Sequence, residues 1–372
     1  MKPRAIVSVI NDLSTDQRVH KVCSFLVEQG YDVCLVGRKK SDSQVLAARN
    51  YRTHRMRLFF EKGALFYAFF NTRLFFYLLF RKADLLVSND LDTLLPNFLV
   101  SKMKKIRLTY DSHEYFTEVP ELINRPRVQK VWERIERFIF PKLKTVYTVN
   151  HSIAGLYTEK YGVGLKVVRN VSPLWRPSLV PDKQALGIPG DKQLLIMQGA
   201  GLNIDRGVEE AIGMMHFLSG AVLLIVGDGD IIPEMKEKVS RENLDEKVLF
   251  FGKRPYAELM CFTFHADLGL SFDQPTNPNY RFSLPNKVFD YLHAGTPVIC
   301  SDVIEVATIV RKHDIGIVLT DFRAEQMAEV LGKLLKDPGE LQRLKENCAT
   351  AALLENWQKE TAVLAEIYPK VD

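Results

Sequence analysis

The chain has 372 residues, of which 47% are hydrophobic and 26% are charged, a balance that excludes an intrinsically disordered chain and allows two globular domains. The charge is uneven: residues 1–170 hold 29 Lys and Arg against 16 Asp and Glu, and residues 171–372 hold 21 against 29. The basic first half predicts an anionic partner, such as a phosphorylated substrate, a membrane surface or nucleic acid, unless it is only a solvated surface.

The cysteines and the start of the chain indicate the compartment. The five cysteines are scattered and form no CxxC pair, so the sequence predicts neither a disulfide framework nor a zinc site. The first apolar stretch runs only from Ala5 to Ile10, which is short for a signal peptide. We therefore expect a reduced, cytoplasmic protein.

Short β-rich apolar runs alternate with helical-period segments along the first half, the order that parallel α/β sheets produce. The first helix is predicted over residues 15–29 and stops at Gly30, a common residue just after a helix. The predicted strands are residues 5–10, 32–37, 84–88, 107–110, 145–149 and 166–169.

Four prolines between Val171 and Gly190 predict a linker between two domains. The alternating pattern then resumes, which predicts a second doubly wound domain. Its strands are expected at residues 193–199, 222–229, 248–252, 268–272, 296–302 and 316–319. The tail from Asn356 to Tyr368 has a helical pattern.

Two such domains in tandem occur in dehydrogenases, GT-B transferases, sugar-nucleotide epimerases and periplasmic-type binding proteins, so the fold alone does not choose a function. A dinucleotide site needs G-x-G-x-x-G between the first strand and its helix. The turn NDLSTDQRV after the first strand has no glycine, and VGDGD at residues 226–230 lacks the third. These turns disfavour a dehydrogenase.

The most specific motif of the chain is SLPNKVFDYLHAGTPVICSD at residues 283–302. It resembles the signature helix and following strand of family-4 retaining glycosyltransferases, the glycosyl transferases group 1. Other segments agree with that family in order and spacing, namely residues 11–38, 108–118, 199–212, 226–230 and 250–259.

The resemblance implies an α/β GT-B fold, in which two Rossmann-like doubly wound parallel-sheet domains face a cleft. The acceptor-binding domain is expected at residues 1–172, with a C-terminal helix, residues 356–372, packing back on it. The nucleotide-sugar donor-binding domain is expected at residues 173–355.

The start of the signature helix has the features of an anion site. Ser283 is placed to cap a helix whose first position is Pro285. The backbone N–H groups around Asn286 and Lys287 would then present the positive end of the helix dipole to an anion. If that anion is a diphosphate, Asp290 could accept hydrogen bonds from a ribose. The alternative is an ordinary solvated helix face.

The resemblance implies further donor contacts. Arg206 and Gly207 stand where the family usually has Lys-Gly, and an arginine there can clamp phosphate oxygens with two hydrogen bonds. Arg206 and Lys287 would stabilise the leaving diphosphate and so act in catalysis.

The sequence also departs from the family. Phe282 stands where a glutamate commonly contacts the donor sugar, and Gly201 stands where a second phosphate-binding arginine is common. Asn277, Asn279 or Tyr280 could compensate, so Asn279 and Tyr280 are included among the expected donor contacts.

In the first domain, Asp111, His113 and Glu114 follow a predicted strand end, where open α/β sheets place ligand contacts. His113 resembles the family's catalytic cleft histidine, and a neutral imidazole could donate to a sugar hydroxyl. Asp16 and Arg18, at the start of the first helix, could meet the acceptor or a phosphate. Plain helix capping and a structural histidine are the alternatives.

Ten of the chain's 38 aromatic residues lie between Phe59 and Phe80, with cations spread through residues 55–82. This pattern predicts an interfacial helix that sinks aromatic rings into an anionic membrane and keeps its charges among the headgroups. A full membrane span is disfavoured because Arg73 lies near the middle. The alternative is a helix packed on the sheet before the strand at residues 84–88.

These features together predict a cytoplasmic hexosyltransferase, peripheral on the inner face of the membrane. The resemblance implies that it moves a sugar with retention from a nucleotide-sugar donor to a glycan or lipid-linked acceptor, in cell-surface polysaccharide biosynthesis. No metal, cofactor or nucleic-acid partner is expected. The alternatives are a sugar-nucleotide epimerase and a non-catalytic nucleotide-sugar-binding protein. A paired-carboxylate glycosidase is disfavoured because it would not explain a phosphate-binding helix.

Overall fold

The computed structural model describes residues 2–14, 16–41, 43, 45–177 and 179–371. The chain forms two compact units, of which unit 1 is Met1–Asn170 with Glu360–Asp372 and unit 2 is Val171–Lys359. The chain therefore passes from one unit to the other twice, once after Asn170 and once after Lys359.

Unit 1 contains a seven-stranded sheet in the order β3-β2-β1-β4-β5-β6-β7, and neighbouring strands pair in parallel. Its strands are β1 (Arg4–Asp12), β2 (Asp32–Lys39), β3 (Arg52–Arg57), β4 (Leu85–Asn89), β5 (Arg107–Ser112), β6 (Val146–Thr148) and β7 (Lys166–Val167). The sequence did not predict β3, because RTHRMR lacks apolar alternation. A polar strand is tolerated here because β3 lies at the sheet edge.

The helices of unit 1 connect these strands. They are α1 (Gln17–Glu28), α2 (Gly63–Phe80), α3 (Leu91–Lys104), α4 (Pro120–Ile123), α5 (Pro126–Ile139) and α6 (His151–Tyr161), with 3-10 turns at Phe116–Glu118 and Phe140–Lys142.

Unit 2 contains a six-stranded parallel sheet in the order β10-β9-β8-β11-β12-β13. Its strands are β8 (Gln193–Gly199), β9 (Ala221–Gly227), β10 (Val248–Phe250), β11 (Leu268–Ser271), β12 (Val298–Ser301) and β13 (Gly316–Leu319). Its helices are α7 (Val208–Met214), α8 (Ile232–Arg241), α9 (Tyr256–His265), α10 (Pro278–Arg281), α11 (Lys287–Ala294), α12 (Ile304–His313), α13 (Ala324–Leu335) and α14 (Pro338–Leu354).

Each face of the unit 2 sheet is buried in its own hydrophobic core. Along β8, Leu195 and Met197 belong to one core, whereas Leu194 and Ile196 belong to the other. A strand buried on both faces reads as a continuous apolar run, which explains why QLLIMQG was recognisable in the sequence. The predicted α/β class, with two parallel-sheet domains, is confirmed.

The aromatic helix α2 is half embedded in unit 1. One row of side chains, spaced by four residues, packs against the sheet core and is fully or almost fully buried: Phe66, Phe70, Leu74 and Leu78. The other side is exposed, with Leu65 at 61%, Phe76 at 50% and Phe80 at 79%. The packed-helix interpretation therefore accounts for one face of α2 and leaves the other in solvent.

The last helix, α15 (Trp357–Ile367), begins in unit 2 and continues into unit 1. Glu360 accepts hydrogen bonds from the backbone N–H of Arg169 at 2.7 Å and from its Nε at 2.9 Å. Leu364 and Tyr368 are fully buried. The tail is thus part of the hydrophobic core of unit 1, although it lies at the other end of the sequence.

Candidate functional site

Two basic side chains of unit 2 converge on one buried carboxylate just beyond the carboxyl end of β11. Asp273 is 1% exposed, and its Oδ1 lies 2.7 Å from Nη1 of Arg206. Its Oδ2 lies 3.2 Å from Nζ of Lys287 and accepts a hydrogen bond from Ser271 Oγ at 3.1 Å. We call Arg206, Lys287 and Asp273 the cation cluster.

The cation cluster has an unbalanced positive charge. Burial raises the pKa of Asp273, but the neighbouring Lys287 and Arg206 outweigh burial, and the pKa is lowered overall. Asp273 is therefore ionised at neutral pH. Two cations share a single carboxylate, so the cluster keeps a net charge of about +1 in a largely buried place, where it attracts an anionic ligand.

The ring of Tyr280 packs against the guanidinium group of Arg206. The guanidinium carbon of Arg206 lies 3.9 Å from the centroid of the Tyr280 ring, a close cation–π contact. The ring is held by the short helix α10, which starts where Asn277 Oδ1 accepts the backbone N–H of Tyr280 at 2.9 Å. Asn279, on the same helix, is 8% exposed. Tyr280 thus contacts the cluster directly.

Gly207 lets the Arg206 backbone approach the end of β11. Its φ is +84°, and a Cβ at this position would lie 2.2 Å from Cβ of Phe272. Both the conformation and the space therefore require glycine. The predicted Arg-Gly pair has a physical basis, because the glycine allows the arginine to reach Asp273.

The predicted cap of the signature helix was wrong. Helix α11 begins at Lys287 with Asn286 at the N-cap position, no side chain caps it, and the buried Ser283 Oγ has no hydrogen-bond partner among the described residues. The turn before the helix is closed by the backbone instead, since Val288 N–H donates to the Pro285 carbonyl at 3.2 Å. The helix N-terminus still lies at Asn286 and Lys287.

Asp290, which was expected to accept hydrogen bonds from a ribose, is buried and hydrogen-bonded within unit 2. It is 5% exposed, and its Oδ1 accepts hydrogen bonds from Ser172 at 2.6 Å and from Tyr256 at 2.9 Å. Its Oδ2 accepts one from Gln198 at 3.2 Å. The carboxylate therefore joins α11 to three other parts of unit 2.

The two departures from the family pattern differ in their surroundings. Phe282 ends α10 and lies partly buried, with the Arg281 guanidinium 5.6 Å from its ring centroid. At Gly201 no atom lies within 4 Å of where a Cβ would stand. The position that lacks the family arginine therefore has room for one.

In unit 1, charged side chains form a chain across the carboxyl ends of β4 and β5. Nη2 of Arg18 lies 2.7 Å from Oδ1 of Asp111. Oδ2 of Asp111 lies 3.2 Å from Nε2 of His113, and Nδ1 of His113 lies 3.3 Å from Oδ2 of Asp90. Nε2 of His113 also lies 3.1 Å from the side-chain oxygen of Asn89.

His113 is charged in this setting. Burial lowers its pKa, but the Asp90 and Asp111 carboxylates outweigh burial and raise it to about 10. Burial likewise opposes ionisation of Asp111, but Arg18 and His113 lower its pKa to about 2. The expectation of a neutral imidazole was therefore wrong, because the ring lies between two carboxylates. Both ring nitrogens already face protein acceptors.

The other predicted residues of unit 1 have structural partners. Asp16 caps α1 by accepting the Val19 N–H at 3.0 Å, and Arg18 is 3% exposed and donates to the Val168 carbonyl at 2.8 Å. The carbonyl of Glu114 accepts a hydrogen bond from Ser112 Oγ at 2.8 Å. Capping and ion pairing thus account for Asp16 and Arg18.

Two family models match the chain and together cover most of it. The model of Glycosyltransferase Family 4 matches residues 16–171, and that of Glycosyl transferases group 1 matches residues 181–350. The chain belongs to the group 1, family 4 glycosyltransferases. No curated protein sequence matches it significantly.

Solved structures with the same fold are similar to this glycosyltransferase over almost its whole length. Sucrose-phosphate synthase from Thermosynechococcus elongatus has 18% identity and a TM-score of 0.78, with coverage of 99% of this chain and 98% of that one. HepE from Anabaena, in complex with UDP and glucose, has 14% identity and a TM-score of 0.74, and WaaG, a glycosyltransferase involved in lipopolysaccharide biosynthesis, has 17% and 0.73. For both, coverage is 99% of this chain and 100% of the other.

Two carboxylates of this glycosyltransferase were not predicted from the sequence. One holds Arg206 and Lys287 in the cation cluster, and the other pairs with His113. Asp273 and Asp90 each lie just beyond a strand, β11 and β4 respectively. Their signal was present, because polar residues after parallel strands commonly line ligand sites. It was overlooked because neither residue belongs to the motif that carries the family resemblance.

Proposed function

We propose that this glycosyltransferase transfers a hexose, with retention, from a nucleotide-sugar donor to a glycan or lipid-linked acceptor in cell-surface polysaccharide biosynthesis. The observation that carries the proposal is the convergence of Arg206 and Lys287 on Asp273, beside the N-terminus of α11. The HepE structures with UDP and with UDP-glucose support a nucleotide-sugar donor of the uridine type.

The donor diphosphate would bind at the cation cluster. Arg206 offers a planar fork of donors, Lys287 offers a point charge, and the α11 N-terminus adds the positive end of a helix dipole. Gly207 and Asn286 would approach the phosphates through their backbones. Asp290 would position the nucleotide end indirectly, because its carboxylate fixes Tyr256 and Ser172.

In the proposed reaction, the bond between the anomeric carbon and the diphosphate oxygen breaks while the acceptor oxygen bonds to the same face of that carbon. The proton of the acceptor hydroxyl moves to the departing diphosphate. Arg206 and Lys287 would lower the barrier by stabilising the negative charge that develops on the leaving group. Since they supply positive charge where other enzymes use a divalent cation, we propose that the reaction needs no metal.

The sugar and the acceptor would contact other residues. With phenylalanine at position 282, polar contacts to the sugar would come from Asn279 and Tyr280. In unit 1 we propose that Asp111, His113 and Glu114 border the acceptor. His113 would act through the positive charge of its ring, whose pKa is raised to about 10, because both ring nitrogens already face Asp90, Asp111 and Asn89. Asp16 and Arg18 would shape this region without touching the acceptor.

We also propose that the enzyme is cytoplasmic and binds the inner face of the membrane through residues 55–82. The exposed side of α2 carries Phe76 and Phe80, and Phe59 before it is 86% exposed. Helix α2 is long and apolar enough to span a membrane. Its buried row favours surface attachment instead, because a spanning helix could not keep those contacts with the sheet.

The decisive experiment is a transfer assay with a panel of nucleotide sugars and acceptors, with donor and product followed separately. Arg206→Ala and Lys287→Ala should each lower transfer at least about tenfold, because charged phosphate contacts contribute about 1.5–3 kcal/mol each. Arg323→Ala, which removes an exposed cation paired with Asp321, is the matched control and should keep full activity. Undiminished transfer in both cluster variants would refute the donor site.

The same assay separates the alternatives. Conversion of the donor sugar without any acceptor would indicate an epimerase. Tight donor binding with no turnover on any acceptor would indicate a binding protein. Transfer that persists after treatment with EDTA is expected, and its loss and recovery with a divalent cation would contradict metal independence.

A further inference from the structure

Unit 1 has a basic cavity at the amino-terminal edge of its sheet, which we call the edge pocket. It is an open pocket of about 530 Å³, and the basic residues that line it are exposed. Five of its lining residues are cations and none is acidic, namely Lys102, Lys105, Arg107, Lys142 and Lys144. Such a volume is ordinary for a small-molecule site, and uncompensated positive charge of this density selects an anion.

The edge pocket is separate from the His113 region. Arg107 is the first residue of β5, and Asp111 and Ser112 are at the other end of the same strand. At about 3.3 Å per residue, Arg107 and Ser112 are roughly 17 Å apart. A ligand in the edge pocket therefore does not occupy the positions proposed for the acceptor.

Aromatic rings position two of the lysines. Nζ of Lys142 lies 3.4 Å from the ring centroid of Phe138, and Nζ of Lys102 lies 5.4 Å from that of Phe98. The two rings contact each other edge to face, with centroids 6.1 Å apart. The cation–π contacts restrict the ammonium groups without neutralising them, so both charges stay available to a ligand.

A third lysine occupies a strained backbone position. Lys105 ends α3 in the left-handed conformation, with a φ of +56°, where glycine is strongly favoured. Among the described residues, its ammonium group has no hydrogen bond or ion pair. Lys105 is also exposed, so its ammonium group is free to reach a ligand in the edge pocket.

We propose that the edge pocket binds a phosphate-bearing anion with at least two negative charges. Lysine ammonium groups bind phosphate as point charges, and Ser101 and Thr145 line the same pocket. The phosphate could belong to a phospholipid headgroup or to a soluble phosphorylated molecule. The site is independent of the proposed donor site, because it shares no residue with the cation cluster.

The test is calorimetric titration of the full-length protein with sodium pyrophosphate at constant ionic strength. Every protein in the series carries Arg206→Ala and Lys287→Ala, so that the cation cluster cannot bind the probe. A parallel series with intact Arg206 and Lys287 and saturating UDP covers the case in which that background folds poorly. In both series the otherwise intact edge pocket should bind pyrophosphate.

The pocket variants have a matched control. Lys142→Ala with Lys144→Ala should weaken pyrophosphate binding at least about tenfold. Lys130→Ala, which removes an exposed cation of α5 outside the pocket, should leave the affinity unchanged. Equal weakening by the control would show nonspecific charge attraction and overturn the proposal, as would unchanged binding in the double variant.

Lys105→Gly separates a binding role from a structural one. Glycine relieves the left-handed strain, so this variant should have a higher melting temperature and a weaker affinity for pyrophosphate. A variant with unchanged affinity would remove Lys105 from the site. An affinity lowered only in step with a lowered melting temperature would indicate a structural role and contradict the proposal.

Vesicles distinguish the two sources of phosphate. Phosphatidylcholine vesicles with and without phosphatidic acid are sedimented with the intact-pocket protein and with the Lys142→Ala, Lys144→Ala variant. Loss of phosphatidic-acid-dependent binding in the variant assigns a lipid headgroup, and equal binding assigns a soluble phosphate compound. Failure of the transfer assay would leave the pyrophosphate result unaffected, so this inference and the proposed function can fail separately.

Discussion

Arg206 donates to Asp273 across 2.7 Å, and the carboxylate that holds it also holds Lys287 at 3.2 Å. The two cations proposed to bind the diphosphate are thus already paired with a buried anion. A bound diphosphate would compete with Asp273 for both of them, so this carboxylate should influence how tightly a nucleoside diphosphate such as UDP is held.

Asp273→Asn should therefore bind UDP about tenfold more tightly than the wild type, because the amide keeps the shape but removes the competing charge. The unliganded variant should melt at a lower temperature, since two largely buried cations lose their partner. Calorimetry with UDP and thermal unfolding with and without UDP measure both effects. Weaker UDP binding would mean that Asp273 mainly positions the cations.

The glycines at positions 201 and 207 should respond oppositely to substitution. Gly201→Arg should fold normally, because nothing lies within 4 Å of its Cβ position, and it should tighten UDP binding by restoring the cation common in the family. Gly207→Ala should lower the melting temperature, because its Cβ would lie 2.2 Å from Cβ of Phe272. Thermal unfolding and UDP titration test both, and a Gly201→Arg protein with unchanged UDP affinity would exclude a phosphate contact there.

The C-terminal helix should stabilise unit 1. Leu364→Ala should cost about 2–5 kcal/mol of unfolding free energy, because the side chain is fully buried. Leu354→Ala, at a position 55% exposed on α14, is the control and should change stability by less than about 0.5 kcal/mol. Urea unfolding measures both, and equal small effects would argue against a structural role for the tail.

The charged state of His113 should make stability depend on alkaline pH. Its pKa is raised from 6.5 to about 10, so the stability it contributes is present in full below pH 6.5 and is lost as pH rises through 10. Urea midpoints measured between pH 6 and 10 should fall more steeply in the wild type than in His113→Gln. Parallel pH profiles of the two proteins would contradict an imidazolium held between Asp90 and Asp111.

Membrane binding should depend on the exposed side of α2. Phe76→Ser with Phe80→Ser should fold and lose sedimentation with anionic liposomes, because these rings are 50% and 79% exposed. Phe217→Ser, at a ring 52% exposed in unit 2, is the control. Phe70 is unsuitable for this test because it is fully buried. Wild-type protein that stays in the supernatant at low salt with anionic vesicles would refute the membrane proposal.

The sequence by itself determined the architecture and the family. Strand β8, which is buried on both faces, reads as a largely apolar run whose bounds match the prediction, and the bounds of the half-buried edge strand β13 match as well. The SLPNK motif predicted a helix start at Pro285, two residues before α11 begins, but the local signal gave the wrong cap. The polar strand β3 was missed because it lies at the edge of the sheet and is mostly exposed, so it does not need an alternating apolar pattern.

Only the tertiary structure determined the electrostatics of the cation cluster and of the charged residues around His113. Asp273 is 67 residues from Arg206, and Asp111 is 93 from Arg18, so no local pattern shows that they pair. From the sequence, Asp290 was expected to accept hydrogen bonds from a ribose, and a neutral His113 to donate to a sugar hydroxyl. Burial and partners brought from distant parts of the chain gave Asp290 three protein donors and His113 a positive charge. The pKa and accessibility of a side chain depend on its neighbours in space, which the order of residues does not specify.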